Sequence, residues 1–178
     1  LVMRHGESLA EAVLQVSRSL DPVTGALSAA FDTADLPFAP APDLAAWRQR
    51  ASASDDVHVR RHAALMIDQL TRTGRLQSRQ PDPVQVWRFG RDLTLVALGG
   101  EVVVDYALRL YREWPADHVW AAGYSNDVFG YVPSRRVLDE GGYEGGGAMI
   151  YYGRPGPFDG TVEDRLMSVV TRLLRRTR

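Results

Sequence analysis

A chain of 178 residues with a net charge of −1 has room for one domain and lacks the basic footprint of a nucleic-acid binder. All 21 basic residues are arginine and cysteine is absent, so there is no disulfide, and any metal must take histidine, carboxylate or phenolate ligands. No apolar run reaches the roughly twenty residues that a membrane-spanning helix needs.

The first helix is expected over about 7–20, from the spacing of Leu9, Ala10, Val13, Leu14 and Val16, and Asp21-Pro22 ends it. A short strand over 27–31 follows. Leu36 to Pro42 then reads as a proline-stiffened connector. Asp43 suits the N-cap of a helix through Arg50, and Ser54 or Asp55 that of a second helix reaching about Thr73, which Gly74 stops. Gln80 to Pro83 reads as a loop. Val84–Phe89, a Gly90-Arg91-Asp92 turn and Leu93–Leu98 form the clearest hairpin. Val103, Tyr106, Ala107, Leu110 and Tyr111 share a helical face, and Val119–Ala122 is a short apolar strand. The last helix, about 161–176, has Thr161 and Asp164 in capping-box spacing and arginines at its end. The class is α/β (mixed α+β): a mixed sheet with flanking helices. Leu1-Val2-Met3 leads directly into a helix, so the whole of 1–178 is expected to be a single domain cut from the C-terminal side of a larger one.

Three constellations carry candidate chemistry. Arg4-His5-Gly6-Glu7-Ser8 resembles the phosphohistidine signature of the histidine phosphatase family, but the residues around it read as helix, not as a strand end. His58 and His62 share a helix face, yet Arg60 and Arg61 lie between them and no glutamate does, so a solvated face is expected. The third is the stretch from Leu98 to Tyr151. There Glu101 follows a strand and a Gly-Gly pair, and Tyr131 and Tyr143 sit beside glycines. By spacing alone, Glu101 is equally a cleft carboxylate or an acid at a helix start.

Leu98-Gly99-Gly100-Glu101, then Gly123-Tyr124-Ser125-Asn126-Asp127-Val128-Phe129-Gly130-Tyr131, then Gly142-Tyr143-Glu144-Gly145 resemble, in order and spacing, three motifs of the neutral/alkaline (non-lysosomal) ceramidase family, bacterial type. The resemblance implies the C-terminal part of a ceramidase-like catalytic domain. Such enzymes are zinc amidases that cleave the N-acyl bond of ceramide to a fatty acid and a sphingoid base. It implies zinc as cofactor, Glu101 and Tyr131 as metal ligands and Tyr143 as the catalytic oxyanion donor. It also implies a lipid-like N-acyl amide substrate, contact with a membrane surface, and a secreted, periplasmic or membrane-associated setting. The family's zinc-binding histidines fall upstream of Leu1, so these residues alone are expected to be inactive. Gly99 stands where the family has proline, and Phe129 where relatives often have polar residues. The competing expectations are a non-catalytic binding module of the same fold and, third, a phosphatase using His5.

Overall fold

The computed structural model describes residues 1–178. Its elements run α1 (Val2–Val16), β1 (Leu27–Pro37), α2 (Leu44–Ala53), α3 (Val57–Thr73), β2 (Arg79–Phe89), β3 (Leu93–Leu98), β4 (Glu101–Val102), α4 (Val104–Glu113), β5 (Val119–Ala122), β6 (Tyr131–Val132), α5 (Arg135–Glu140) and α6 (Val162–Arg176). The main sheet has the order β1-β2-β3-β5, antiparallel except for the parallel β3–β5 pair. A separate parallel pair joins β4 to β6. This is a mixed α/β fold with a mixed sheet and flanking helices, as the pattern of the sequence predicts.

Alternation along the strands decides which face is covered. Ala34, Leu36, Val84, Val86, Val96 and Leu98 are buried and meet Val162, Leu166, Val170, Leu173 and Leu174 of α6 in one core. That core also holds Tyr106 and Leu110 of α4, together with Phe129, Val132, Met149 and Phe158. Phe129 and Val132 come from the loop into β6 and from β6 itself, Met149 from the turn after the glycine run and Phe158 from the segment before α6, so the main core reaches the glycine-rich part of the chain. A smaller cluster of Trp47, Ala63 and Met66 closes α2 on α3. The opposite face of the sheet carries a register row of Ala29, Trp87, Leu95 and Trp120, and Trp120 is 61% exposed.

Local signals account for most boundaries. The Asp43 carboxylate accepts from the Ala46 N–H, Asp56 caps α3, and Gly74 ends α3 at φ +72°. Three expectations change. β1 extends to Pro37, through residues expected to form a connector, and Gln80–Pro83 is strand, not loop. Pro81 and Pro83 are tolerated because β3 begins only opposite Val84, leaving no donor demanded on that side. Thr161 makes no capping-box bond; instead Asp159 accepts from its N–H and hydroxyl. α1 starts earlier than expected, none of its residues is buried, and no helix is long and apolar enough to cross a membrane.

One buried group stands out. Asp82 is fully buried and neither carboxylate oxygen has a hydrogen-bond partner within ordinary reach. Burial, only partly offset by the Gly99 N–H and aggravated by nearby Asp127, pushes its pKa from 3.8 up to about 7. Below the unfolded value the group is neutral in both states. Between there and about 7 the unfolded chain ionises it and the folded chain does not, so stability falls as pH rises; above that range the penalty is constant. Urea unfolding from pH 4 to 8 should therefore show native chain losing stability relative to Asp82→Asn, by roughly 4 kcal/mol at most across that range. Parallel curves for the two proteins would contradict the burial argument.

Candidate functional site

The hairpin strand β3 ends at Leu98, and Gly99-Gly100 reverses the chain into β4. Gly100 has φ +62°, and a Cβ there would lie 2.8 Å from Val132 Cγ2 and 2.9 Å from the Gly130 carbonyl. A side chain at Gly99 would meet Asp82 Oδ1 and, at 3.0 Å, Pro83 Cδ. Glycine is thus demanded at both positions, at Gly100 by conformation and close approach and at Gly99 by close approach alone.

The turn is stitched to the loop that follows β5. Ser125 N–H donates to Leu98 O at 2.9 Å, Tyr124 N–H to Gly100 O at 2.8 Å, Gly100 N–H to Asp127 O at 2.8 Å and Glu101 N–H to Gly130 O at 2.8 Å. Tyr124 and Asn126 adopt positive φ, +55° and +70°, to make this path, and the Asn126 amide reaches Gln85 Oε1 at 3.3 Å. The result is the parallel β4–β6 pair, in which Glu101 stands directly opposite Tyr131 and Val102 opposite Val132. Phe129, almost fully buried, forms the apolar floor, with its ring edge-on to Phe158 and its carbonyl accepting from Arg154 Nε at 3.0 Å.

Glu101 is therefore not the acid of a helix start. It is a strand residue, and the first-turn acid of α4 is Asp105, which Arg136 and Ser134 bond and hold below the usual carboxylate range. Two phenols face Glu101. Hydrogen bonding to Glu101 is the leading cause that raises the Tyr124 pKa; for Tyr131, burial comes first and Glu101 second, and together they push it up to about 12. Neither phenol closes a bond of ordinary geometry on the carboxylate, so these are loose approaches of a donor to an anion. The Tyr143 ring meets the Tyr131 ring edge-on at 5.5 Å and is half exposed. It is carried on the Gly141–Gly147 turn that follows α5, where Ala148 N–H donates to Tyr143 O at 2.9 Å. The aromatic series continues to Tyr151, 6.1 Å from Tyr143, and to His58, 5.3 Å from Tyr151.

The three residues singled out in the sequence thus come together, from three segments, at one partly exposed place. Sequence reasoning missed Tyr124 and Asp82. Tyr124 had a signal in its position between Gly123 and Ser125-Asn126, a segment that turns; Asp82 had none, because an acid flanked by prolines reads as a solvated loop. The helix-face histidines separate: His58 is exposed, while His62 is buried against the edge of Trp47, with Nε2 2.7 Å from the Arg154 carbonyl. His62 thereby corrects the expectation of a solvated pair. Burial lowers its pKa, against the opposing pull of the bond to the Arg154 carbonyl. His5 lies within the exposed helix α1, with no strand delivering it to a pocket.

Within this chain no group of three or more His, Asp or Glu side chains is placed to hold a metal ion. Glu101 and Tyr131 offer two oxygen donors side by side, a donor set that fits part of a zinc coordination sphere and needs further ligands from elsewhere. No family model matches the chain, and no curated protein matches it. Among solved structures it is similar to "Ceramidase complexed with C2", with 25% sequence identity and a TM-score of 0.30, over 51% of this chain and 15% of that one. The chain thus spans a small fraction of that protein's length.

Replacing Gly100 by alanine should lower stability by about 2 kcal/mol, from the strained φ alone or with the Val132 contact added. Thermal unfolding checks this. An unchanged melting temperature would show that the turn is not held as described.

Proposed function

We propose that the chain supplies half of the metal centre of a ceramidase-like zinc amidohydrolase acting on the N-acyl amide of ceramide or a related N-acyl lipid. The observation that carries the reading is the register of β4 on β6, which sets the Glu101 carboxylate opposite the Tyr131 phenol with the Tyr143 ring against it. Those are the positions at which the sequence resembles the ceramidase motifs, and they converge although they lie far apart along the chain.

Each residue has a distinct task. Glu101 and Tyr131 would hold zinc through oxygen, the remaining ligands being histidines outside these residues. Bound there, zinc would lower the pKa of a water and polarise the amide carbonyl. Tyr143, half exposed at the rim, presents a hydroxyl that donates to the oxygen of the amide as it gains charge, an interaction stronger in the transition state than in the substrate. Phe129, almost fully buried beneath the turn, packs against Gly99 and Gly100 and keeps the strand pair in place. Both the lipid character of the substrate and the amide chemistry follow from the resemblance, and a carboxylate beside phenols is coherent with them.

Protein expressed from the whole gene should contain about one zinc per chain by elemental analysis, and Glu101→Ala should lose it. Tyr143→Phe should retain zinc while kcat for N-acyl sphingosine hydrolysis falls by about a hundredfold. Zinc-free wild-type protein would overturn the assignment and leave a non-catalytic module of the same scaffold. A Tyr143→Phe enzyme of undiminished kcat would remove the oxyanion role alone.

A further inference from the structure

We propose that the cavity between the β2–β3 turn and the end of α6 binds a phosphate group, carried by inorganic phosphate, by a small phosphomonoester or by the headgroup of an acidic lipid. The cavity lies at the far end of the sheet from Glu101, separated from it by the 6 residues of β3, roughly 20 Å of strand. It is independent of the metal-centre reading.

The sequence places an arginine where the core calls for an apolar residue. Alternation along β2 puts Arg88 in the row of Val84 and Val86, on the face that α6 covers. Its side chain is only 11% exposed. Arg88 Nη1 donates to Asp117 Oδ1 at 2.6 Å, and Arg178 Nη2 donates to Asp117 Oδ2 at 2.8 Å. Burial by itself would raise the Asp117 pKa, but these two bonds outweigh it and hold the carboxyl below its usual range. Arg178 is steadied further by Trp114, whose ring centre lies 4.7 Å from its guanidinium. Arg91, exposed on the turn, lines the same cavity and pairs with no carboxylate.

A structural clamp does not account for this arrangement. One carboxylate serves one arginine in a simple pair, whereas Asp117 is shared by two and a third stands beside them. Three guanidiniums and one carboxylate leave a surplus of two positive charges around a cavity of about 500 Å3. Arg88 Nε and Nη2 are buried and donate to nothing. Buried donors of this kind call for a partner, and an anion seated against Arg88 supplies one. The surplus matches a phosphate dianion, and guanidinium forks pair with phosphate oxygens two at a time. Of the lining residues only Ala116 is apolar, so the cavity recognises the charged group and not an acyl chain or a base attached to it.

The test uses protein from the whole gene, titrated calorimetrically with inorganic phosphate at fixed ionic strength and pelleted with phosphatidylcholine vesicles with or without phosphatidic acid. Arg88 is not the residue to change, since its loss strips the buried Asp117 of its closest partner. Arg91→Glu reverses an exposed charge, and Arg178→Gln removes the outer partner of Asp117 while Arg88 keeps it paired. The expected result is saturable phosphate binding, weakened about tenfold or more in both variants at a near-native phosphate-free melting temperature. Should Arg178→Gln unfold, Arg91→Glu decides. Pelleting with the phosphatidic acid vesicles that inorganic phosphate reverses assigns the lipid headgroup, and phosphate binding without pelleting assigns the free ion or ester. Neither phosphate nor vesicle binding in the wild type, or binding unchanged in Arg91→Glu, would overturn the proposal and leave the metal centre standing.

Discussion

Four backbone hydrogen bonds between the Leu98–Glu101 turn and the Tyr124–Gly130 loop are the constraint on which the rest depends. Each contributes about 1 kcal/mol net, but their value is positional. They fix where the chain leaves β3, and through that the register of β4 on β6. Slipping a strand by one residue reverses its side chains. A slip here would place Val102 opposite Tyr131 and turn Glu101 away from both phenols. The glycines at 99 and 100 permit the path, and the positive φ values at Tyr124 and Asn126 are the cost of completing it.

Beneath this stitch the chain is closely packed. Phe129, Val132 and Met149 continue the main core up to the turn, and Asp82 is sealed under Gly99 with no partner of ordinary geometry. Glycine at position 99 fits that arrangement, because a side chain there would strike the Asp82 carboxylate and Pro83. Likewise Phe129 has a place in the structure as the floor of the site, its ring lying against Gly99 and Gly100. An apolar floor under a carboxylate and two phenols keeps water to one side of them and strengthens their mutual electrostatics.

How much of this could be read from the sequence varied with the physics involved. The β2–β3 hairpin, the Asp43 cap, the Gly74 stop and the helix over 162–176 were legible because each depends on neighbours in the chain. The true extents of β1 and β2 were not, because prolines argue against strands unless one knows which edge is unpaired. At the site, motif order pointed to Glu101, Tyr131 and Tyr143, but only strand register could tell that the first two face each other. Glu101 as a helix-start acid was a fair alternative until β4 intervened between the turn and α4. Tyr124 and Asp82 were hidden, one because its role depends on a turn distant in sequence, the other because burial of an acid has no local signal.

The central claim is that the β4–β6 register makes Glu101 and Tyr131 partners in one metal shell. Crystals of the whole-gene protein grown with zinc, measured at the zinc absorption edge, test it most directly. The account predicts an anomalous peak about 2 Å from both the Glu101 carboxylate and the Tyr131 phenol oxygen, with the Tyr143 hydroxyl facing the open side. A zinc peak elsewhere, or none in protein whose β4–β6 pair is intact, would contradict it.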